Sequence, residues 1–229
     1  MKTRITVINP NTSAQLTAAI TAAAQAVAGA GVRVIGVRPA AGVASVESHA
    51  EESVAAVGVL EQVRVHQADT DAFVVACFGD TGVDAAREVA TCPVVGMTEA
   101  ALQTACLLAH RFVVITMPAR TIAHSERVVR ALGLEHRCNV TAVDAPVAGL
   151  ADGSGHLLDA FARAARGADR AEAVVLGCAG LAGLVDPLAK ELDMPVIDGV
   201  AAAVGIAAGL VAMGLNTSRA STFAPVRLP

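Results

Sequence analysis

Tryptophan and tyrosine are absent from this 229-residue chain, and five phenylalanines bring the aromatic share to only 2%. With 54% hydrophobic residues, the core must be packed by Ala, Val, Leu and Gly, which suits tight helix-on-sheet contacts. Lysine is nearly missing as well. Lys2 stands at the terminus and Lys190 in a polar helical patch, so neither is placed for the Schiff base of a pyridoxal phosphate enzyme. The net charge of -4 comes without a basic stripe, which argues against nucleic acid as the main partner and favours a small-molecule substrate.

Close cysteine pairs are also lacking. Cys77, Cys92, Cys106, Cys138 and Cys178 show no CxxC spacing, so neither a disulfide framework nor a zinc site is expected, and a reducing cytoplasm fits best. The six histidines, at 49, 66, 110, 124, 136 and 156, show no HxxH or HExxH spacing, so no metal is expected. His49, after Ser45-Val46-Glu47-Ser48, reads as a solvated loop residue and is the histidine to watch. The N-terminus lacks the apolar run of a signal peptide. The uncharged stretch from Gly199 to Leu215 has 17 residues against the roughly 20 needed to span a bilayer, so it reads as a buried helix and no membrane is expected. No GxGxxG or GxxxxGK follows the first strand, where Asn9-Pro10-Asn11-Thr12 stands instead, so nucleotide binding fails.

What is present is an alternation of short β-branched runs with Ala-rich helical segments. Eight strands are expected, around Ile5–Ile8, Val32–Val37, Ala72–Ala76, Val94–Val95, Phe112–Ile115, Val140–Val143, Ala173–Leu176 and Val196–Ile197. Their continuous hydrophobicity indicates burial on both faces, hence an α/β fold with parallel sheet and helices on each side. The chain also repeats itself. Residues 4–9 align with 111–116 and Pro39–Gly42 with Pro146–Gly149, both at an offset of 107, while Phe73–Cys77 aligns with Val174–Cys178 at 101 and Cys92–Gly96 with Met194–Asp198 at 102. Two pseudo-symmetric lobes follow, each a four-stranded parallel sheet flanked by helices. The expected division is residues 1–96 plus about 205–229 for the first lobe and 97–204 for the second.

Pairing the halves about a pseudo-two-fold axis brings equivalent loops at the carboxyl ends of their strands to one cleft, where open α/β sheets bind ligands. Cys77 and Cys178 then become equivalent residues on facing walls. Each ends a buried strand and is followed by glycines, Phe78-Gly79-Asp80-Thr81-Gly82 and Ala179-Gly180-Leu181-Ala182-Gly183, whose backbone amides can approach a ligand closely. Such amides and a following helix N-terminus are expected to lower a thiol pKa and make thiolate available near neutral pH. Asp80 and Thr81 fit a helix N-cap as well as a ligand contact. One thiolate and one thiol on opposite faces of a carbon acid suffice for racemisation: one removes the α-proton, the other returns a proton to the opposite face. The other three cysteines read as small core hydrophobes.

The segments Val7-Ile8-Asn9-Pro10-Asn11-Thr12, Ala76-Cys77-Phe78-Gly79-Asp80, Leu176-Gly177-Cys178-Ala179-Gly180 and Gly214-Leu215-Asn216-Thr217-Ser218 resemble the hydantoin racemase branch of the aspartate/glutamate racemase superfamily. The resemblance runs over essentially the whole chain. It implies a cofactor-independent isomerase with catalytic Cys77 and Cys178, acting on 5-substituted hydantoins or allantoin. By motif position it also implies Asn11, Gly79, Asp80, Thr81, Thr116, Ala179 and Gly180 as pocket residues, with Ser45 a weaker addition. Thr81 departs from the proline expected in many members after CFGD. Two rival readings stand beside this one: racemisation of free aspartate or glutamate, and a non-catalytic ligand-binding relative. The Ala- and Gly-rich 199–215 segment also suits helix packing between subunits, so a homo-oligomer is expected.

Overall fold

In the computed structural model, residues 2–147, 150 and 154–226 are described, and Ala148 and Gly149 of the second Pro-x-x-Gly segment lie outside them. The first half runs β1 (Thr3–Ile8), α1 (Ala14–Val27), β2 (Val32–Val37), α2 (His49–His66), β3 (Ala72–Val75), α3 (Val83–Val89), β4 (Val94–Gly96) and α4 (Met97–Leu108). The second runs β5 (Phe112–Thr116), α5 (Ile122–Ala131), β6 (Cys138–Ala142), α6 (Leu158–Arg166), β7 (Ala173–Gly177), α7 (Val185–Leu192), β8 (Val196–Asp198) and α8 (Gly199–Ala212). Every strand pair is parallel, and the sheets are ordered β2-β1-β3-β4 and β6-β5-β7-β8. The two halves thus share one topology, as the repeat predicts. Two strands start two residues before the sequence reading: β1 at Thr3, which pairs with Val32, and β6 at Cys138, which pairs with Phe112 at the start of β5.

The strands carry Val and Ile on both faces because both faces are covered. Phe73 and Phe112 are fully buried, each worth roughly 1.5–3 kcal/mol relative to exposure. Helices cross between the halves. Ala101, Leu102 and Ala105 of α4 pack on Phe112, Val114 and Val175 of the second sheet, while Val200, Ala203, Val204 and Ala207 of α8 pack on Ile5, Val7 and Val74 of the first. The two helices meet at equivalent residues: a β-carbon on Gly199 would lie 2.8 Å from the carbonyl oxygen of Met97, so only glycine permits this approach. Among the described residues no helix is long and apolar enough to cross a membrane.

Helix starts near the strand ends are fixed by local capping. Ser13 accepts from the Leu16 amide at the start of α1, and Ser48 from the Glu51 amide at the start of α2. The Glu51 carboxylate answers by accepting from the Ser48 hydroxyl and the Glu47 amide, which fixes the segment entering α2.

Candidate active site

Strand register sets the site. Ile8 lies opposite Val75, and Thr116 opposite Gly177, so the chain leaves β3 and β7 level with the ends of β1 and β5. Cys77 follows two residues after β3 and Cys178 directly after β7. Both thiols line one cavity, one from each sheet, together with Asn11, Thr116, Thr121 and Ala179. Leu16, Val46, Phe78, Met117 and Val147 supply an apolar wall. At about 40 Å3 the cavity has room for roughly three waters. Two of the segments lining it, around Val46 and Val147, are joined by the Val147 amide donating to Glu47 Oε1 at 3.2 Å.

The polar groups facing the cavity have defined roles. Asn11 Oδ1 accepts from Asn9 Nδ2 (2.9 Å) and from the Ser13 amide (2.9 Å), which turns its Nδ2 away from protein acceptors among the described residues. Thr121 donates to the Pro118 carbonyl, and Thr116 lies 2.8 Å from Thr121 Oγ1 and 3.3 Å from the Gly177 carbonyl. The Thr116 proton is therefore committed to the protein, leaving its lone pairs to accept from a ligand N–H.

The thiols are not equivalent in their support. Thr81 Oγ1 donates to Cys77 Sγ at 3.4 Å, whereas the Gly180 and Ala179 amides approach Cys178. Burial outweighs both. It pushes Cys77 up to about 12 and Cys178 to about 11, so the thiolate expected near neutral pH is not favoured here. Both sulfurs open partly onto the cavity but lie deep in the protein.

The loop after Cys77 also differs from its sequence reading. The Gly79 amide donates to Thr98 Oγ1 at 2.7 Å and so does not face the ligand. Asp80, at φ 54°, turns its carboxylate onto the Thr98 and Glu99 amides at 2.8 and 2.9 Å, capping α4 rather than the helix that follows it. Burial raises its pKa to about 6 despite those donors. Gly79 and Asp80 line a separate open groove of about 590 Å3 that holds neither cysteine. Gly180 lies under Leu16 and Leu150, and Ser45 stands beside Val46 without lining the cavity. Arg120 is exposed and outside the cavity, which no Lys or Arg lines among the described residues.

The sequence reading missed Leu16, Val46, Met117, Thr121 and Val147, of which only Thr121 carries a polar signal, its hydroxyl five residues beyond Thr116. It also read His49 as a loop residue, whereas His49 opens α2 as its first residue.

A family model described as Asp/Glu/Hydantoin racemase matches residues 5–207. The chain belongs to that family. A hydantoin racemase of Rhizobium meliloti is 41% identical over 229 residues, covering 98% of this chain and 95% of the relative. Among solved structures, an allantoin racemase from Klebsiella pneumoniae superposes with a TM-score of 0.94 at 44% identity, covering 100% of this chain and 95% of that one. Allantoin racemase from Pseudomonas fluorescens gives 0.93 at 38% identity, covering 99% and 98%. Family membership makes the chain an isomerase of the racemase type.

Proposed function

We propose that this racemase inverts C5 of five-membered cyclic ureides by a two-base proton transfer between Cys77 and Cys178. The observation that carries the reading is that two thiols at equivalent strand ends of separate sheets line one cavity. One sulfur, as thiolate, takes the C5 proton, and the thiol of the other delivers a proton to the opposite face. The reverse reaction exchanges the roles, which is why a duplicated fold suits the task. The adjacent carbonyl delocalises the carbanion as an enolate, so no cofactor is required for its stability. Asn11, which lines the cavity with its Oδ1 already held by Asn9 and Ser13, supplies Nδ2 as a donor for that enolate oxygen, and the Thr116 lone pairs accept from a ring N–H.

The named relatives divide between hydantoin and allantoin, and the cavity favours the former. Allantoin's ureido arm brings N–H donors and a carbonyl, each costing about 1–3 kcal/mol if buried without a partner, whereas Leu16, Val46, Phe78, Met117 and Val147 offer an apolar wall. Free aspartate or glutamate would need a strong cationic or amide-rich carboxylate clamp, and no Lys or Arg lines the cavity among the described residues. The test is a polarimetric screen of enantiopure 5-alkylhydantoins, allantoin and acidic amino acids without added cofactor. Decay of an alkylhydantoin signal to zero supports the reading. Turnover confined to amino acids, or none at all, ends it.

A further inference from the structure

His49 and Glu52 on α2 and His124 on α5 bring one potential ligand atom each to within 4.8 Å of one another, the one such group of three among the described residues. None belongs to the cavity between the cysteines, and 75 residues separate the two histidines, so no sequence spacing announces them. The two imidazole rings lie 4.4 Å apart between centroids, and His49 Nδ1 is 3.5 Å from Glu52 Oε2. We infer that His49, Glu52 and His124 form a binding site for a divalent transition cation of the zinc class, bridging the two halves of the chain.

Donor chemistry selects the cation. Two imidazoles and one carboxylate suit zinc, with a fourth position left to water. Zinc bonds of about 2.0–2.2 Å require ligand atoms about 3.3 Å apart, so the widest separation must contract by up to about 1.5 Å. His49 is exposed and free to swing inward. His124 is fixed by its surroundings: at 3% exposure it packs so close to Gly79 that a β-carbon there would lie 3.1 Å from its own.

Glu52 already pairs with Arg127, whose Nη1 lies 3.0 Å from Oε2. Arg127 Nη2 pairs with Glu52 Oε1 as well and donates to the Gly79 carbonyl at 2.9 Å, so when Oε2 turns to the ion the guanidinium keeps Oε1 and the Gly79 carbonyl as partners, the carboxylate having about four lone-pair positions to share. His49 follows Val46 by three residues and His124 follows Thr121 by three, and both Val46 and Thr121 line the cavity, so a cation here ties together one cavity-lining segment from each half.

The test uses Zn2+ and Co2+ alone, titrated into a Cys77→Ser/Cys178→Ser chain so that the cavity thiols do not compete. It needs no turnover, and its outcome is therefore independent of the racemase reading. One ion per chain is expected, with His49→Ala lowering the affinity on the order of 100-fold, at least the loss seen when outer-shell partners are removed. Co2+ should show visible bands without an intense near-ultraviolet thiolate band. Zinc at a hundredfold excess over Kd should raise Tm by roughly 5–10 °C, and His49→Ala should abolish that shift. Unchanged affinity in His49→Ala, a thiolate band, or no binding at all would overturn the assignment. Because His49 is exposed, its replacement leaves the fold intact.

Discussion

Thr81 places its hydroxyl 3.4 Å from Cys77 Sγ, while Ala182, at the equivalent position after Cys178, has no hydroxyl to offer. The second thiol is supported by the Ala179 and Gly180 amides instead. The duplicated scaffold thus gives its two cavity sulfurs different polar neighbours, a side-chain hydroxyl at Cys77 and backbone amides at Cys178.

Thr81→Ala should therefore weaken catalysis through Cys77. A hydrogen bond to a charged group is worth about 1.5–3 kcal/mol, so kcat/KM should fall roughly tenfold or more. Enantiomers have equal free energy, which fixes the equilibrium constant at one and requires the loss to be the same in both directions. Thr81→Ser should restore most of the rate. Steady-state polarimetry from each enantiomer checks this, and an unaltered rate in Thr81→Ala would remove Thr81 from the site.

The pH dependence follows from the direction of the thiol shifts. Burial disfavours thiolate, so its population grows as pH rises toward about 11 for Cys178 and about 12 for Cys77. Well below that range each pH unit multiplies the thiolate fraction by about ten. The reaction needs one thiolate and one thiol, so kcat/KM should climb with a log slope near one from pH 6 to 9, after subtraction of spontaneous racemisation. A profile already flat above pH 7 would mean that the open enzyme sets a thiol near neutrality.

The Val147 amide donates to the Glu47 carboxylate between two segments that line the cavity. Glu47→Ala removes the acceptor and should loosen those walls, raising KM for alkylhydantoins severalfold while changing kcat less. Glu47→Gln keeps an acceptor oxygen and should behave nearly as the parent. A fall in kcat without change in KM would place Glu47 in the chemical step instead.

Much of this architecture is legible in the sequence because it is written locally. Runs such as Phe112–Thr116 name their strands, and the repeats between residues 4–9 and 111–116 and around Cys77 and Cys178 name both topology and cavity. What the sequence hides is long-range. Asp80 sits in a motif that reads as a site residue, yet its carboxylate reaches 18 and 19 residues ahead to α4, and the Gly79 amide is taken by Thr98. Val46 and Val147 line one cavity from opposite halves, and nothing in either segment signals the other. The same holds for His49 and His124.

Single cysteine variants give the sharpest test, since a two-base racemase leaves a trace that a one-base enzyme lacks. In Cys178→Ala the Cys77 sulfur remains on one face of the ring. It can still remove the C5 proton from the enantiomer that presents hydrogen to that face, but no acid waits opposite to complete inversion. In D2O this variant should exchange the C5 hydrogen of one enantiomer with retention, while racemisation falls by the 10²–10⁴-fold typical of losing a general acid or base, that is by roughly 3 to 5 kcal/mol in barrier. Cys77→Ala should do the same for the opposite enantiomer. Proton NMR of each enantiomer, with a substrate whose spontaneous exchange is slow, separates exchange from inversion. If either variant keeps near-full racemisation, or if both exchange the same enantiomer, the two sulfurs do not divide the faces of the ring and the two-base mechanism fails.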